Sequence, residues 1–98
     1  RLTQLSETQL HQEGLYAYTA IRAPRGLNER IYHVWRLNGE IVDTIALDIQ
    51  GGRKEGYRAW THKQHFPKQA VGHWQVQVVT EARQMIGVLR FEVTDIGN

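Results

Sequence analysis

Two β-rich runs flank the dipeptide Asn38-Gly39 in the stretch RIYHVWRLNGEIVDTIALDI, residues 30–49. Asparagine and glycine tolerate the positive φ angles of a two-residue type I′ turn, and this pair is the strongest short signal for a β-hairpin. A strand that ends at Leu37 and a strand that starts at Glu40 are therefore predicted to be antiparallel neighbours.

The chain on both sides of this hairpin has the same character. Further runs rich in β-branched and aromatic residues, each bounded by turn residues, cover residues 15–24, 57–63, 73–80 and 85–94. No segment shows a sustained helical period with caps. We therefore predict an all-β fold for residues 14–98: a single antiparallel, immunoglobulin-like β-sandwich of six to eight short strands. Residues 1–13 are polar with scattered leucines, and we interpret them as a tether or an edge segment.

Alternation along a strand assigns side chains to the two faces of a sheet. In residues 73–80 the row that contains Trp74 is apolar and the opposite row is polar, so Trp74 is predicted to point inward. Leu89, Phe91 and Val93 form an apolar row in the last strand and are expected to complete the same core.

The hairpin itself has a less regular pattern. Trp35 belongs to a mainly apolar row and is predicted to be a core residue, with His33 near the end of the strand. Asp43 falls in the row that contains Ile41. Either Asp43 is paired inside the domain, or a β-bulge near it shifts the register and buries Val42; we favour the bulge.

Composition excludes several classes of function. The chain has no cysteine, which removes disulfides, thiolate nucleophiles and cysteine-based metal sites. A formal net charge of +2 is too small to attract a polyanion to the protein as a whole, so a nucleic-acid partner is not expected. No run approaches the 18 or more apolar residues of a membrane helix, and the chain begins with Arg1 instead of Met. We interpret it as a piece of a longer protein, with any membrane segment outside it.

Catalytic patterns are also missing from the sequence. Ser6 is the only serine, and no G-x-S-x-G motif surrounds it. Asp43 and Asp48 are five residues apart on one strand and would face opposite sides. We predict that the domain is not an enzyme, with no catalytic residue and no cofactor.

His62 and His65 have the spacing of a short metal-ligand pair. On a regular strand, residues three apart face opposite sides, so both would reach one ion only if the strand ended between them. We predict no metal site, and an enzyme with a histidine-held metal is the least favoured alternative.

A basic and aromatic segment is the candidate for binding. Trp60 lies in a row with Arg58 and His62, opposite the row of Tyr57, Ala59 and Thr61. Trp60 either presents a stacking surface or caps the core with its two neighbours at the rim, and the second interpretation is favoured. The predicted ligand-binding residues are Arg58, Trp60, His62 and Lys63, with Arg53 and Lys54 as a cationic border.

Four segments together carry a family resemblance: YHVWRLNGE (32–40), YRAWTHK (57–63), GHWQVQVVTE (72–81) and QMIGVLRFEV (84–93). In their order and spacing they resemble the uncharacterised bacterial family called Domain of Unknown Function 2914, over roughly residues 15 to 94. The residues that match its motifs, Trp35, Trp60, Lys63 and Trp74, are then expected to define the fold. Where the family has an Asp-Gly-like turn this chain has residues 81–84, EARQ, so a longer loop built on a type I turn is expected.

The resemblance implies a β module carried behind membrane-spanning segments, in the bacterial cell envelope. Together with the residues, it predicts a non-catalytic binding or interaction module of a larger, membrane-associated protein. Its ligand would be an anionic glycan or a protein. The alternative is a structural spacer, or a domain that associates weakly with itself through an edge strand.

Overall fold

The computed structural model of the chain describes residues 3–22, 28–52 and 56–95. Arg53 and Lys54, predicted to border the binding site, lie outside these residues. Within them, strands and one short helix follow in the order β1 Thr3–Ser6, α1 Glu7–Glu13, β2 Leu15–Ile21, β3 Ile31–Leu37, β4 Glu40–Ala46, β5 Asp48–Gly52, β6 Gly56–Lys63, β7 Gly72–Thr80 and β8 Met85–Thr94. No helix in the described ranges is long and apolar enough to cross a membrane.

The strands form two sheets that pack as a sandwich, which confirms the predicted fold class. One sheet has the order β1-β8-β7-β3-β4 and the other the order β2-β6-β5. In immunoglobulin nomenclature, β8-β7-β3-β4 corresponds to G-F-C-C′ and β2-β6-β5 to B-E-D. All described strand pairs within residues 14–98 are antiparallel, as predicted, and the N-terminal edge segment β1 adds one parallel pair with β8, with Thr3 opposite Phe91.

The Asn38-Gly39 hairpin is confirmed. Leu37 pairs with Glu40, and the two turn residues have φ angles of 49° and 87°, as a type I′ turn requires. Further along the pair, Trp35 lies opposite Asp43 and Arg36 lies opposite Ile41, so residue 42 is the extra residue of a β-bulge.

This bulge resolves the register near Asp43. The predicted bulge is confirmed, and Val42 packs partly buried against the core. Asp43 is nevertheless also paired, because its carboxylate accepts a hydrogen bond from Lys63. Ile41 is turned away from the core and is exposed. The β-bulge at Val42 and the pairing of Asp43 therefore occur together in one local structure.

The inward rows are largely as alternation predicts. Trp35 and Trp74 are fully buried, and Phe91 and Val93 join the core. Leu89 was predicted to do the same and is instead exposed. Leu89 pairs with the buried Val76 of β7, and the described pairing of β8 with β1 covers residues 91–94.

The N-terminal segment contains a helix that the sequence pattern did not predict. Residues 3–6 are an edge strand, as one of the two interpretations proposed, but residues 7–13 form α1. Ser6 caps the helix by accepting a hydrogen bond from the backbone N–H of Gln9, and Leu10 is buried in the core. Gly14 ends the helix with a φ of 72°. A helix of seven residues with one buried side chain has too few turns to show a period.

The connection between β7 and β8 is the expected longer loop. The Arg83 N–H donates to the Thr80 carbonyl oxygen over 2.9 Å, closing a four-residue turn. Arg83, the last residue of this turn, has a positive φ of 66°.

Candidate functional site

The outer surface of the three-stranded sheet carries a cluster of aromatic side chains. In the register of β2 and β6, Tyr16 pairs with His62 and Tyr18 pairs with Trp60. Because directly opposed residues of an antiparallel pair share one face, these four side chains point to the same side. We call Tyr16, Tyr18, Trp60 and His62 the aromatic face. Arg58, opposite Ala20, continues the same row at its border.

Tyr16 is the centre of the aromatic face. Its ring is stacked on that of His62, with centroids 4.0 Å apart and planes 5° from parallel. The ring of Tyr18 lies 6.0 Å away at 17°, and that of Trp60 lies 5.8 Å away at 49°. The four rings therefore form one continuous aromatic surface.

This surface is open to solvent. Tyr18 is 67% exposed, and Tyr16 and Trp60 are each 50% exposed. The favoured interpretation of Trp60 as a cap on the core was wrong. In β6 the residues that cover the core are the opposite row, in which Ala59 and Thr61 are buried. A large aromatic side chain on the outer row has no second layer to pack against.

His62 is held in one orientation by two hydrogen bonds. Its Nε2 donates to the carbonyl oxygen of Glu13 over 3.2 Å, and its Nδ1 accepts from the side-chain amide of Gln64 over 3.2 Å. A carbonyl only accepts, so this pattern selects the neutral tautomer with the proton on Nε2. The ring of Tyr16 thus rests on an imidazole whose position is fixed.

The structure does not bring Lys63 to the aromatic face. Its side chain points into the sandwich, is 5% exposed, and donates to a carboxylate oxygen of Asp43 over 2.8 Å. The ammonium group also lies 5.1 Å from the centre of the Phe66 ring. Lys63 was predicted as a ligand-binding residue; in the structure it ties β6 of one sheet to β4 of the other.

The two histidines with ligand-like spacing do not converge. His62 lies on the aromatic face, and His65 is exposed in the loop after β6. Over residues 3–22, 28–52 and 56–95, no three histidine or carboxylate side chains come together as a metal site would require.

His33, which alternation places in the inward row with Trp35, forms a polar bridge across the core that the sequence did not predict. His33 on β3 is fully buried. Its Nε2 lies 2.6 Å from Thr19 Oγ1 of β2, and its Nδ1 lies 2.7 Å from Thr61 Oγ1 of β6. Burial lowers the pKa of His33 from 6.5 to about 4, because a charged imidazole would lose its hydration. His33 is therefore a neutral side chain that links the two sheets.

Sequence reasoning missed two members of the aromatic face, Tyr16 and Tyr18. The signal was present, since Tyr16, Tyr18 and Ala20 alternate with the inward-facing Ala17 and Ile21. The same parity argument that was applied to Trp60 would have placed both tyrosines outside.

Comparison with known proteins adds the family. Residues 28–93 match the family described as Protein of unknown function (DUF2914). The match begins later than residue 15, where the resemblance was expected to start, so it includes Trp60 and His62 but not Tyr16 or Tyr18. No curated protein and no solved structure matches the chain. Because the match spans more than half of its length, the chain belongs to the DUF2914 family.

Proposed function

We propose that this domain is a non-catalytic binding module whose aromatic face binds an anionic glycan. The observation that carries the proposal is the group of three aromatic side chains, Tyr16, Tyr18 and Trp60, each at least half exposed on one outer sheet surface. Contiguous exposed aromatic side chains on a globular domain mark interaction sites.

Sugar rings suit such a surface for an electrostatic reason. The face of an aromatic ring carries partial negative charge, and a pyranose presents a flat side of weakly positive C–H groups. Stacking therefore buries apolar area on both partners and leaves the hydroxyl groups of the sugar in water. Neighbouring rings about 6 Å apart along β2 offer contacts to more than one part of a sugar chain.

The charge at the border of the aromatic face favours an acidic sugar. Arg58 is exposed and forms no ion pair with the side chains described in residues 3–22, 28–47 and 56–95. A guanidinium binds a carboxylate or sulfate through two parallel hydrogen bonds, which adds orientation to the stacking contact. His62 contributes the face of its ring, on which Tyr16 stacks.

The only serine and the buried histidine of the core both have structural roles, which supports a function without catalysis. The hydroxyl of Ser6 caps α1 and is buried. The close contacts of His33 with two threonine hydroxyls are enclosed in the core, where no substrate reaches them. We further propose that the module belongs to a larger, membrane-associated protein of the bacterial cell envelope, where acidic polysaccharides are available as ligands.

Intrinsic fluorescence tests the proposal directly. Trp35 and Trp74 are fully buried, and Trp60 is the exposed tryptophan, so quenching by a ligand reports on Trp60. Titration with an oligomer of a uronic acid should quench or shift the emission, and a neutral hexose oligomer of the same length should bind more weakly. Trp60→Ala and Tyr18→Ala should each weaken binding about tenfold or more in calorimetry, the change that ~1.4 kcal/mol produces.

Matched variants on the other sheet serve as controls. Ile41→Ala removes an equally exposed apolar side chain from β4, and Arg90→Gln removes an exposed arginine from β8. Both should leave binding unchanged, whereas Arg58→Gln should selectively weaken the acidic oligomer. Failure of both oligomers to bind at millimolar concentration, or equal effects of Trp60→Ala and Ile41→Ala, would refute the proposal.

A further inference from the structure

The edge strand β2 lacks the features that protect other edges from pairing. In the described part of the chain β2 pairs on one side only, with β6, through all seven of its residues without a register shift. Its sequence, LYAYTAI, contains no charge, no proline and no glycine. A regular, uncharged edge strand presents a row of backbone donors and acceptors to any other strand.

The other three edge strands are each protected. β1 is described over four residues and is followed directly by α1 at Glu7. β4 carries Glu40 and Asp43 and is interrupted by the bulge at Val42. β5 contains Asp48 and ends in two glycines. Short length, charge and bulges are the means by which natural sheets avoid edge-to-edge contact, so β2 is the edge available for pairing.

The sequence of β2 is complementary to itself in an antiparallel arrangement. Only the register with Tyr18 opposite Tyr18 of a second copy uses all seven residues. In that register the large Tyr16 lies opposite the small Ala20, and the strand has no charged residues that could repel each other. Just beyond the strand end, Arg22 of one copy falls opposite Gly14 of the other, so it meets no like charge.

We propose that the domain forms a two-fold symmetric dimer in which β2 of one copy pairs with β2 of a second copy. The pairing creates a continuous six-stranded sheet and places the two aromatic faces side by side on one surface. A strand of seven residues spans only about 24 Å, which places the contact among small, weak interfaces. The dimer therefore forms at micromolar to millimolar concentration, and it does not depend on the glycan proposal.

Sedimentation velocity tests the dimer without any ligand. Between about 10 µM and about 1 mM protein, the average mass should rise from 11.4 kDa toward twice that value. Ala20→Lys introduces into the edge of β2 the charge that protects natural edges, and should weaken the dimer about tenfold or more. Thr44→Lys adds the same charge at an exposed position of the edge strand β4 and should have no effect. A monomer throughout the range, or equal effects of the two lysines, would overturn the proposal and leave the edge to another occupant.

Disulfide trapping tests the register independently of affinity. The chain has no cysteine, so Tyr18→Cys introduces a single thiol. Directly opposed residues of an antiparallel pair have Cα atoms about 4.5 to 5.5 Å apart, which is within the range that a disulfide spans. Tyr18→Cys should form a covalent dimer rapidly under mild oxidation, and Thr44→Cys should form it slowly. Equal rates would contradict the proposed pairing.

Discussion

Lowering the pH should destabilise this domain through His33. The imidazole is fully buried between the sheets and both of its nitrogens contact threonine hydroxyls. One nitrogen of a neutral imidazole donates and the other accepts, so the neutral ring satisfies both contacts. Protonation would place an uncompensated cation in the core.

The magnitude follows from the two pKa values. The pKa of His33 is 6.5 without burial and about 4 in the folded domain. Each pKa unit corresponds to about 1.36 kcal/mol, so the difference corresponds to about 3.4 kcal/mol of unfolding free energy. Above pH 6.5 both states are neutral at this residue. Between pH 6.5 and 4 the unfolded chain binds the proton first, so stability falls as the pH falls, and below about pH 4 the loss is complete.

Urea denaturation from pH 7.5 to pH 4 measures this effect. His33→Gln is the matched control, because a side-chain amide keeps a donor and an acceptor but does not titrate. The other four histidines and the carboxylates are common to both proteins. The unfolding free energy of the natural chain should therefore decline by about 3 kcal/mol more than that of the variant. Equal pH dependence of the two proteins, or a His33 pKa near 6.5 in an NMR titration, would refute this reasoning.

Three further predictions concern stability and are measured by chemical denaturation at pH 7. Asp43→Ala leaves the buried ammonium of Lys63 unpaired and should cost about 3 kcal/mol, whereas Lys63→Met leaves a carboxylate that water reaches and should cost about 1 kcal/mol; equal costs would contradict the assigned burial. Gly14→Ala places a Cβ 2.5 Å from a backbone oxygen and should cost about 3 kcal/mol or more, while Gly39→Ala meets no atom and should cost about 1 kcal/mol; the reverse order would contradict the packing. Arg83→Gly relieves a positive φ and should stabilise by about 0.5 kcal/mol, and a loss would show that the arginine side chain contributes contacts.

Local sequence was sufficient wherever one strand and its turn determine the structure. The Asn38-Gly39 turn is a two-residue signal, and its type needs no distant partner. The burial of Trp74 follows from the alternation of its own strand. The exposure of Trp60 also agrees with its parity, and the error came from preferring a buried location for a large aromatic residue against that parity.

Structure that depends on distant partners was not predictable in this way. Lys63 belongs by parity to the inward row of Ala59 and Thr61, but its charge suggested the surface. Its location depends on Asp43, twenty residues earlier and in the other sheet. His33 likewise depends on hydroxyls from β2 and β6, which no local pattern connects to β3. A buried polar group is compatible with a strand only when such partners exist.

The outward and inward rows of side chains on β2 and β6 have different roles. Tyr18 and Trp60 point outward and form the aromatic face, while their neighbours Thr19 and Thr61 point inward and hold His33. The outward side chains are at least half exposed, so truncating them removes less burial from the folded state than truncating a core side chain would. The inward hydroxyls are partners of a buried imidazole, and removing one leaves a polar atom without its hydrogen bond. Binding and stability are therefore controlled by different rows of the same strands, and a loss of ligand binding in Trp60→Ala reports on the aromatic face itself instead of on the fold.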